Sequence, residues 1–254
     1  MTHRFPFLDH PRPTAIAHRG GSLEGEENTL PAFAHAVALG YTHVELDVHA
    51  TRDGVVVVHH DPTLERMTGD PRAIAELSWR ELSGIRTHRG AAIPRLDALL
   101  EEHPALFINI EAKSDAVVEP LAALIRRMGV LERIGTGSFR PARITGLRAL
   151  LGERLCWSPA HGAVLGLWLR GWGLPVPLAG FPVVQVPEHY RGARVVTRRF
   201  VRAAHRAGVL VQVWTVNEAD AMVRLLDMGV DGLMTDRPAL LRQVLEGRGA
   251  WRGS

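Results

Sequence analysis

The sequence predicts an α/β fold, a (β/α)8 barrel of the TIM type with a small insertion after the second strand. Three observations carry this. Eight short β-branched runs recur along the chain, helical patterns ended by glycine separate them, and 254 residues is the size of one such barrel. With 46% hydrophobic and 22% charged side chains, the chain has the composition of an ordinary globular protein, so a single domain over residues 1–254 is expected.

The strands are expected at 15–18, 43–48, 106–111, 134–137, 154–158, 182–186, 210–215 and 232–235. The first helix, 30–39, opens after Asn28-Thr29, which can cap it. Pro31 lies in its first turn, where a missing N–H costs little, and Gly40 ends it. Later helices are expected at 116–128, 141–151, 198–207, 219–228 and 238–245, with Gly129, Gly152, Gly208 and Gly229 just past four of them. Asp53-Gly54 reads as a turn into an extra strand, 55–58, and 61–94 is a polar, mixed stretch. Together, at about 53–94, they read as an insertion over the barrel mouth. The segment 161–181 is rich in Gly, Trp and Leu, and Arg170 is its only charged residue. It reads as a barrel helix with its loop, burying Leu165, Leu167 and Leu169 against the sheet. The competing reading makes part of it, with Trp168 and Trp172, a greasy lip for an acyl chain.

Several classes are excluded. Cys156 is the single cysteine and has no partner in the chain for a disulfide. Residues 1–13 lack the apolar core of a signal peptide, so a cytoplasmic location is expected. No apolar run approaches the roughly 20 residues of a membrane span. The formal charge is +3, and the arginines are scattered among Asp and Glu, so nucleic acid is not an expected partner. The sequence leaves the oligomeric state open.

Barrel enzymes build their sites from the loops after the strands. His18-Arg19-Gly20-Gly21 ends strand one, Glu45-Leu46-Asp47 strand two, His59-His60-Asp61 the extra strand, and Glu111-Ala112-Lys113 strand three. Strand alternation puts Glu45 and Asp47 on one face, with Val44, Leu46 and Val48 on the other. If Glu111 joins the two acids, each carboxylate pair at ~4 Å repels by about 4 kcal/mol at an effective dielectric of 20. A divalent cation relieves this, and all-oxygen ligation favours Mg²⁺ or Ca²⁺ over zinc. Taken alone, a Glu-x-Asp pair more often salt-bridges nearby arginines; Glu111 and the histidines in register favour the cation. The Arg19 guanidinium matches phosphate oxygens, and Gly20 lets a ligand approach the backbone. Of 30 basic residues only Lys113 is lysine, so an ammonium is specifically wanted there.

The motifs Ala17-His18-Arg19-Gly20-Gly21, Glu27-Asn28-Thr29, Glu45-x-Asp47 and His60-Asp61-Pro62-Thr63-Leu64 stand in the order found in the glycerophosphodiester phosphodiesterase family. The resemblance continues through Glu111-x-Lys113 and Val213-Trp214-Thr215-Val216-Asn217 to Asp231-Gly232-Leu233-Met234-Thr235-Asp236-Arg237-Pro238, covering about 15–240. It implies a hydrolase that splits glycerophosphodiesters into glycerol 3-phosphate and an alcohol. It also implies that Glu45, Asp47 and Glu111 hold the metal, that His18 and His60 are the general acid and base, and that Arg19 and Lys113 clamp the phosphate. Independently, phosphodiester cleavage needs charge neutralised and two protons moved, which a cation and two histidines supply.

The His-Asp order selects His60 over His59. Glu26 replaces the family's usual proline, and His49 is an additional polar group. Trp214 reads either as a core aromatic or as a wall of the glycerol pocket. Asp236 and Arg237 read as structural, closing the barrel or capping the last helix. Three alternatives stand beside the main reading. One is a lysophospholipase D acting on acylated diesters. Another is a related barrel phospholipase, disfavoured by Asn28-Thr29 and Trp214-Thr215. The third is a non-catalytic phosphate-binding barrel.

Overall fold

The computed structural model describes residues 4–178 and 180–252. Residues 1–3 of the stretch read against a signal peptide, and 179 within 161–181, lie outside the described residues. The strands in chain order begin with β1 (Thr14–His18), β2 (His43–Ala50), the short β3 (Val56–Val58), β4 (Phe107–Ala112) and β5 (Ile134–Gly137). They continue with β6 (Cys156–Trp157), β7 (Val183–Pro187), a hairpin of β8 (His189–Tyr190) and β9 (Ala193–Arg194), then β10 (Leu210–Trp214) and β11 (Gly232–Thr235). Eight of them run parallel in the order β6-β5-β4-β2-β1-β11-β10-β7, and β3 pairs antiparallel with β2. This is the expected barrel, nearly closed. At the seam between β6 and β7 the Gln185 N–H donates to Ser158 Oγ at 2.9 Å.

The helices are α1 (Leu30–Ala38), α2 (Glu65–Thr68), α3 (Trp79–Leu82), α4 (Leu96–Glu102), α5 (Val118–Met128), α6 (Pro141–Leu151), α7 (His161–Gly171), α8 (Arg198–Arg206), α9 (Ala219–Met228) and α10 (Pro238–Gly247). Thr29 is the N-cap of α1, its Oγ accepting from Ala32 N. Helix α4 is absent from the expectations because it is short, opens after Pro94 and has no side-chain cap. It buries Leu96, Leu99 and Leu100 against the barrel. The segment 61–94 wraps its own small core of Leu64, Ile74, Leu77, Leu82 and Ile93 around Val57 of β3. Of the inserted stretch 53–94, His60 lines the central cavity, and none of the described residues of 61–94 does.

Parallel register turns strand alternation into layers. β2 and β4 pair His43 with Phe107, Glu45 with Asn109 and Asp47 with Glu111. Val44, Leu46 and Val48 point outward, fully buried among the helices. The lowest layer is sealed from below by the N-terminal segment. Phe7 inserts with Phe5 and Leu8 beside Cys156, Val183 and Leu210, and its ring stands edge-on to His43 and Phe107. Gly135 makes room for it, since a Cβ there would lie 2.7 Å from the Phe7 ring. Higher up, Gln185 Nε2 donates to Asn109 Oδ1 and Gln212 Oε1, both at 2.9 Å. The barrel interior thus grades from aromatic at the bottom to ionic at the top.

Phe7→Ala is expected to cost about 3–5 kcal/mol of stability, read as a lower urea midpoint at unchanged slope. A loss below about 1 kcal/mol would show that the plug adds little to the barrel.

Candidate active site

Glu45, Asp47 and Glu111 converge as expected. One carboxylate oxygen from each lies within 4.8 Å of the others. Burial, reinforced by Asp47 and Glu111, raises the pKa of Glu45 against the pull of His18. Burial also raises Glu111, with Lys113 only partly opposing it. Asp47 goes the other way: burial would raise it, but Lys113 and Arg19 lower it. Lys113 Nζ lies 3.4 Å from Asp47 and 3.2 Å from Glu111, a compact ammonium between two carboxylates where a planar guanidinium would be larger. Three hard-oxygen donors, Glu45 and Asp47 buried and Glu111 half-buried, with the pKa of Glu45 and Glu111 raised even with Arg19 and Lys113 in place, fit a hard divalent cation.

The loop after β1 builds the neighbouring wall. Arg19 has φ 52°, Gly20 φ 81° and Gly21 φ 106°, a run of left-handed backbone that glycine tolerates. Gly20 does not leave space for a ligand. A Cβ there would lie 2.9 Å from Ala32 of α1, and one on Gly21 would lie 2.7 Å from Pro238 of α10, so the glycines pack the loop against helices. The turn brings the Arg19 guanidinium to Glu27 at 3.1 Å and its Nε to Asp47 at 3.1 Å. That Nε–H is buried but misaligned for a hydrogen bond. Asn28 does not cap α1; its Nδ2 donates to Asp47 Oδ2 at 3.0 Å.

Of the histidines that line the cavity, His18 and His60 are each oriented by an aspartate. The His18 Nδ1–H donates to Asp236 at 2.6 Å, leaving Nε2 3.6 Å from Glu45. Asp236 also accepts from Ser22 at 2.6 Å and Asn217 at 2.8 Å. Burial would raise Asp236, but these three hydrogen bonds hold it at about 2. Burial lowers His18, yet Glu45 and Asp236 together outweigh it and its pKa lies above 6.5. Asp236 ties the end of β11 to the end of β1, in keeping with a part in closing the barrel, and through the same contact it orients His18; Arg237, not Asp236, stands at the N-cap of α10. The available signal for that second role was the place of Asp236 in the Thr235-Asp236-Arg237-Pro238 motif at a strand end.

His60 Nδ1 lies 2.6 Å from Asp61, whose other oxygen accepts from Arg66 Nε at 2.5 Å. Arg66 Nη2 also reaches Glu27 at 2.6 Å, so the inserted segment ties the His60 pair to the Arg19 pair. His59 turns away, 3.2 Å from the Thr63 carbonyl. His49, brought to about 4 by burial, is neutral and lies 3.1 Å from the His60 carbonyl.

A cavity of about 580 Å³ opens over these groups. Its far side is apolar, formed by Trp214, Phe139, and Val164, Leu165 and Trp168 of α7. Trp214 meets Phe139 edge-to-face at 5.5 Å. The expectation for α7 is corrected here. Leu167 is buried, but Leu165 is 56% exposed, because the face bearing His161, Val164, Leu165 and Trp168 borders the cavity rather than the sheet.

A barrel whose mouth sets two aspartate-oriented imidazoles beside a carboxylate cluster that could hold a metal ion carries the kinds of group that hydrolysis of an anionic ester calls for. The model of the Glycerophosphoryl diester phosphodiesterase family matches residues 18–240. A Mycobacterium tuberculosis protein named "Probable glycerophosphodiester phosphodiesterase 2" is 38% identical over 98% of this chain and 96% of its own length. A lysophospholipase D of Homo sapiens is 27% identical over 95% of this chain and 91% of its own. The crystal structure of a glycerophosphodiester phosphodiesterase from Agrobacterium tumefaciens superposes with a TM-score of 0.78 at 25% identity, over 92% of this chain and 99% of that one. The chain belongs to the glycerophosphoryl diester phosphodiesterase family, and it is an enzyme, a phosphoric diester hydrolase.

In metal-free protein the His18 imidazole is expected to titrate above 6.5 by NMR, and Asp236→Asn to lower its midpoint. Because the folded value is raised, the stability His18 contributes is present below the unfolded value and is lost as pH rises through the folded one. An unmoved or higher midpoint in Asp236→Asn would contradict the pairing.

Proposed function

We propose that the enzyme hydrolyses glycerophosphodiesters to sn-glycerol 3-phosphate and an alcohol, with one divalent cation, Mg²⁺ or Ca²⁺, held by Glu45, Asp47 and Glu111. The observation that carries this is the pair of aspartate-backed histidines bordering one carboxylate cluster in one cavity. When bound, the cation supplies neutralisation of the charge that builds on the non-bridging phosphate oxygens. Arg19 and Lys113 add fixed positive charge beside it. His18, favoured as imidazolium by Glu45 and Asp236, donates a proton to the leaving oxygen. His60, oriented by Asp61, takes the proton of the nucleophile, which is either a water, giving glycerol 3-phosphate directly, or the glycerol 2-hydroxyl, giving a cyclic phosphate that water then opens to glycerol 3-phosphate. Trp214 walls the glycerol end. The reading places the enzyme in the cytoplasm, in keeping with a lone, buried, unpaired Cys156.

Release of glycerol 3-phosphate from glycerophosphocholine and glycerophosphoethanolamine is expected to stop in EDTA and return with Mg²⁺ or Ca²⁺. His18→Ala and His60→Ala are each expected to lower kcat about 10²–10⁴-fold. Full activity in EDTA, or in either variant, would contradict the reading.

The apolar far wall favours a second reading, in which the diester carries one acyl chain lying along Val164, Leu165 and Trp168. A relative named as a lysophospholipase D is in keeping with it. Leu165→Asp is then expected to lower kcat/KM on lysophosphatidylcholine about tenfold, from lost apolar burial, while sparing glycerophosphocholine. Equal effects on both substrates would remove the acyl subsite.

A further inference from the structure

Most large apolar side chains of this barrel are buried, but Leu165, Trp172, Leu174, Phe139 and Tyr190 are each 40–59% exposed. Phe139, Leu165 and Tyr190 border the cavity, and Trp172 and Leu174 follow at the C-terminal end of α7. Helix α7 borders the cavity along His161, Val164, Leu165 and Trp168, and the same face ends in Trp172, whose ring lies 5.7 Å from that of Trp168. The β8–β9 hairpin leans on this helix. Trp168 Nε1 donates to the Arg194 carbonyl at 3.4 Å, and the Tyr190 ring lies 4.8 Å from that of His161.

The charge of this rim is one-sided. The arginines are scattered among acids over the chain as a whole, yet residues 161–199, from α7 to the first turn of α8, hold five arginines and one acidic residue, Glu188. Glu188 is already engaged by Arg224 at 2.6 Å and Arg194 at 3.5 Å. Among the described residues no carboxylate pairs with the exposed Arg170, Arg191 or Arg199. The Arg199 guanidinium lies 4.5 Å over the Trp172 ring, and Arg191 5.5 Å from the Tyr190 ring. Cations set beside exposed aromatic and aliphatic side chains, on a helix whose apolar face leads into the cavity, match a surface with anionic headgroups over an acyl layer.

We propose that the rim formed by α7, the loop at Trp172 and Leu174, the N-terminal turn of α8 and the β8–β9 hairpin docks on an anionic lipid bilayer, turning the cavity mouth toward it. Trp172 and Leu174 enter the headgroup layer, and Arg170, Arg191 and Arg199 pair with lipid phosphates. Nucleic acid would also meet the arginines, but it has no use for Leu165 and Leu174 beside them. This docking is independent of the catalytic reading, since it is measured without turnover.

The test is cosedimentation of the full chain with vesicles of phosphatidylcholine alone and of equimolar phosphatidylcholine and phosphatidylglycerol. Binding is expected to the anionic vesicles only and to weaken as salt rises. Trp172→Ser with Leu174→Ser, and Arg170→Glu with Arg199→Glu, are each expected to weaken it about tenfold or more. All four residues lie outside the cavity, so release of glycerol 3-phosphate from soluble glycerophosphocholine stays at the wild-type rate. If the Arg199 change unfolds the protein, because α7 packs on α8 there, Leu174→Ser at an exposed loop position still carries the test. No binding to either vesicle, or binding that these changes leave intact, would overturn the proposal. So would tighter binding to polyuridylate, lost with the arginines but kept in Trp172→Ser with Leu174→Ser, or a dimer in sedimentation that Trp172→Ser dissociates.

Discussion

Three carboxylates facing one point, two of them buried and the third half-buried, are the constraint on which the rest of this site depends. Asp47 and Glu111 are opposite each other because β2 and β4 pair in parallel register, and Glu45 lies on the same face of β2 as Asp47. At these separations in a partly dry interior, mutual repulsion is worth several kcal/mol, and burial alone drives Glu45 and Glu111 toward their neutral forms. The protein answers with Lys113 and Arg19 but leaves two of the three acids under-compensated. A hard dication would complete the balance, and the same carboxylates, with Asp236, raise the pKa of His18 against its burial.

Around that centre the fold supplies stiffness in graded layers. Phe7 and its neighbours seal the bottom of the barrel, amide side chains of Asn109, Gln185 and Gln212 cross its middle, and charge is confined to the top. Gly20 and Gly21 press the β1 loop onto α1 and α10, which fixes where His18 and Arg19 point. The inserted segment acts through Arg66, which holds Asp61 and Glu27 together and so couples the second histidine to the first loop. On the far side the cavity wall becomes apolar.

What was legible in the sequence was whatever local periodicity decides. Alternation along residues 43–48 separated Glu45 and Asp47 from Val44 and Leu46, and glycine stops placed Pro141–Leu151 and Ala219–Met228 to the residue. Helix α4 was illegible because a seven-residue helix without a cap has too little pattern. Leu165 was misplaced because α7 is apolar on more than one face, so periodicity cannot say which face meets the sheet. Asp236 was assigned to structure because its partner, His18, is 218 residues away, and only closure of the barrel brings β11 beside β1. Gly20 was read as space for a ligand, whereas the neighbour that needs the space is Ala32.

The carboxylate cluster as a cation site is tested most directly by calorimetric titration of Mg²⁺ or Ca²⁺ into metal-stripped protein, in two buffers of different ionisation enthalpy. The account predicts one ion per chain, bound with release of a proton because the ion displaces it from Glu45, whose pKa burial raises, and no such binding in Asp47→Asn. Absence of binding in the wild-type protein, or equal binding in Asp47→Asn, would contradict it.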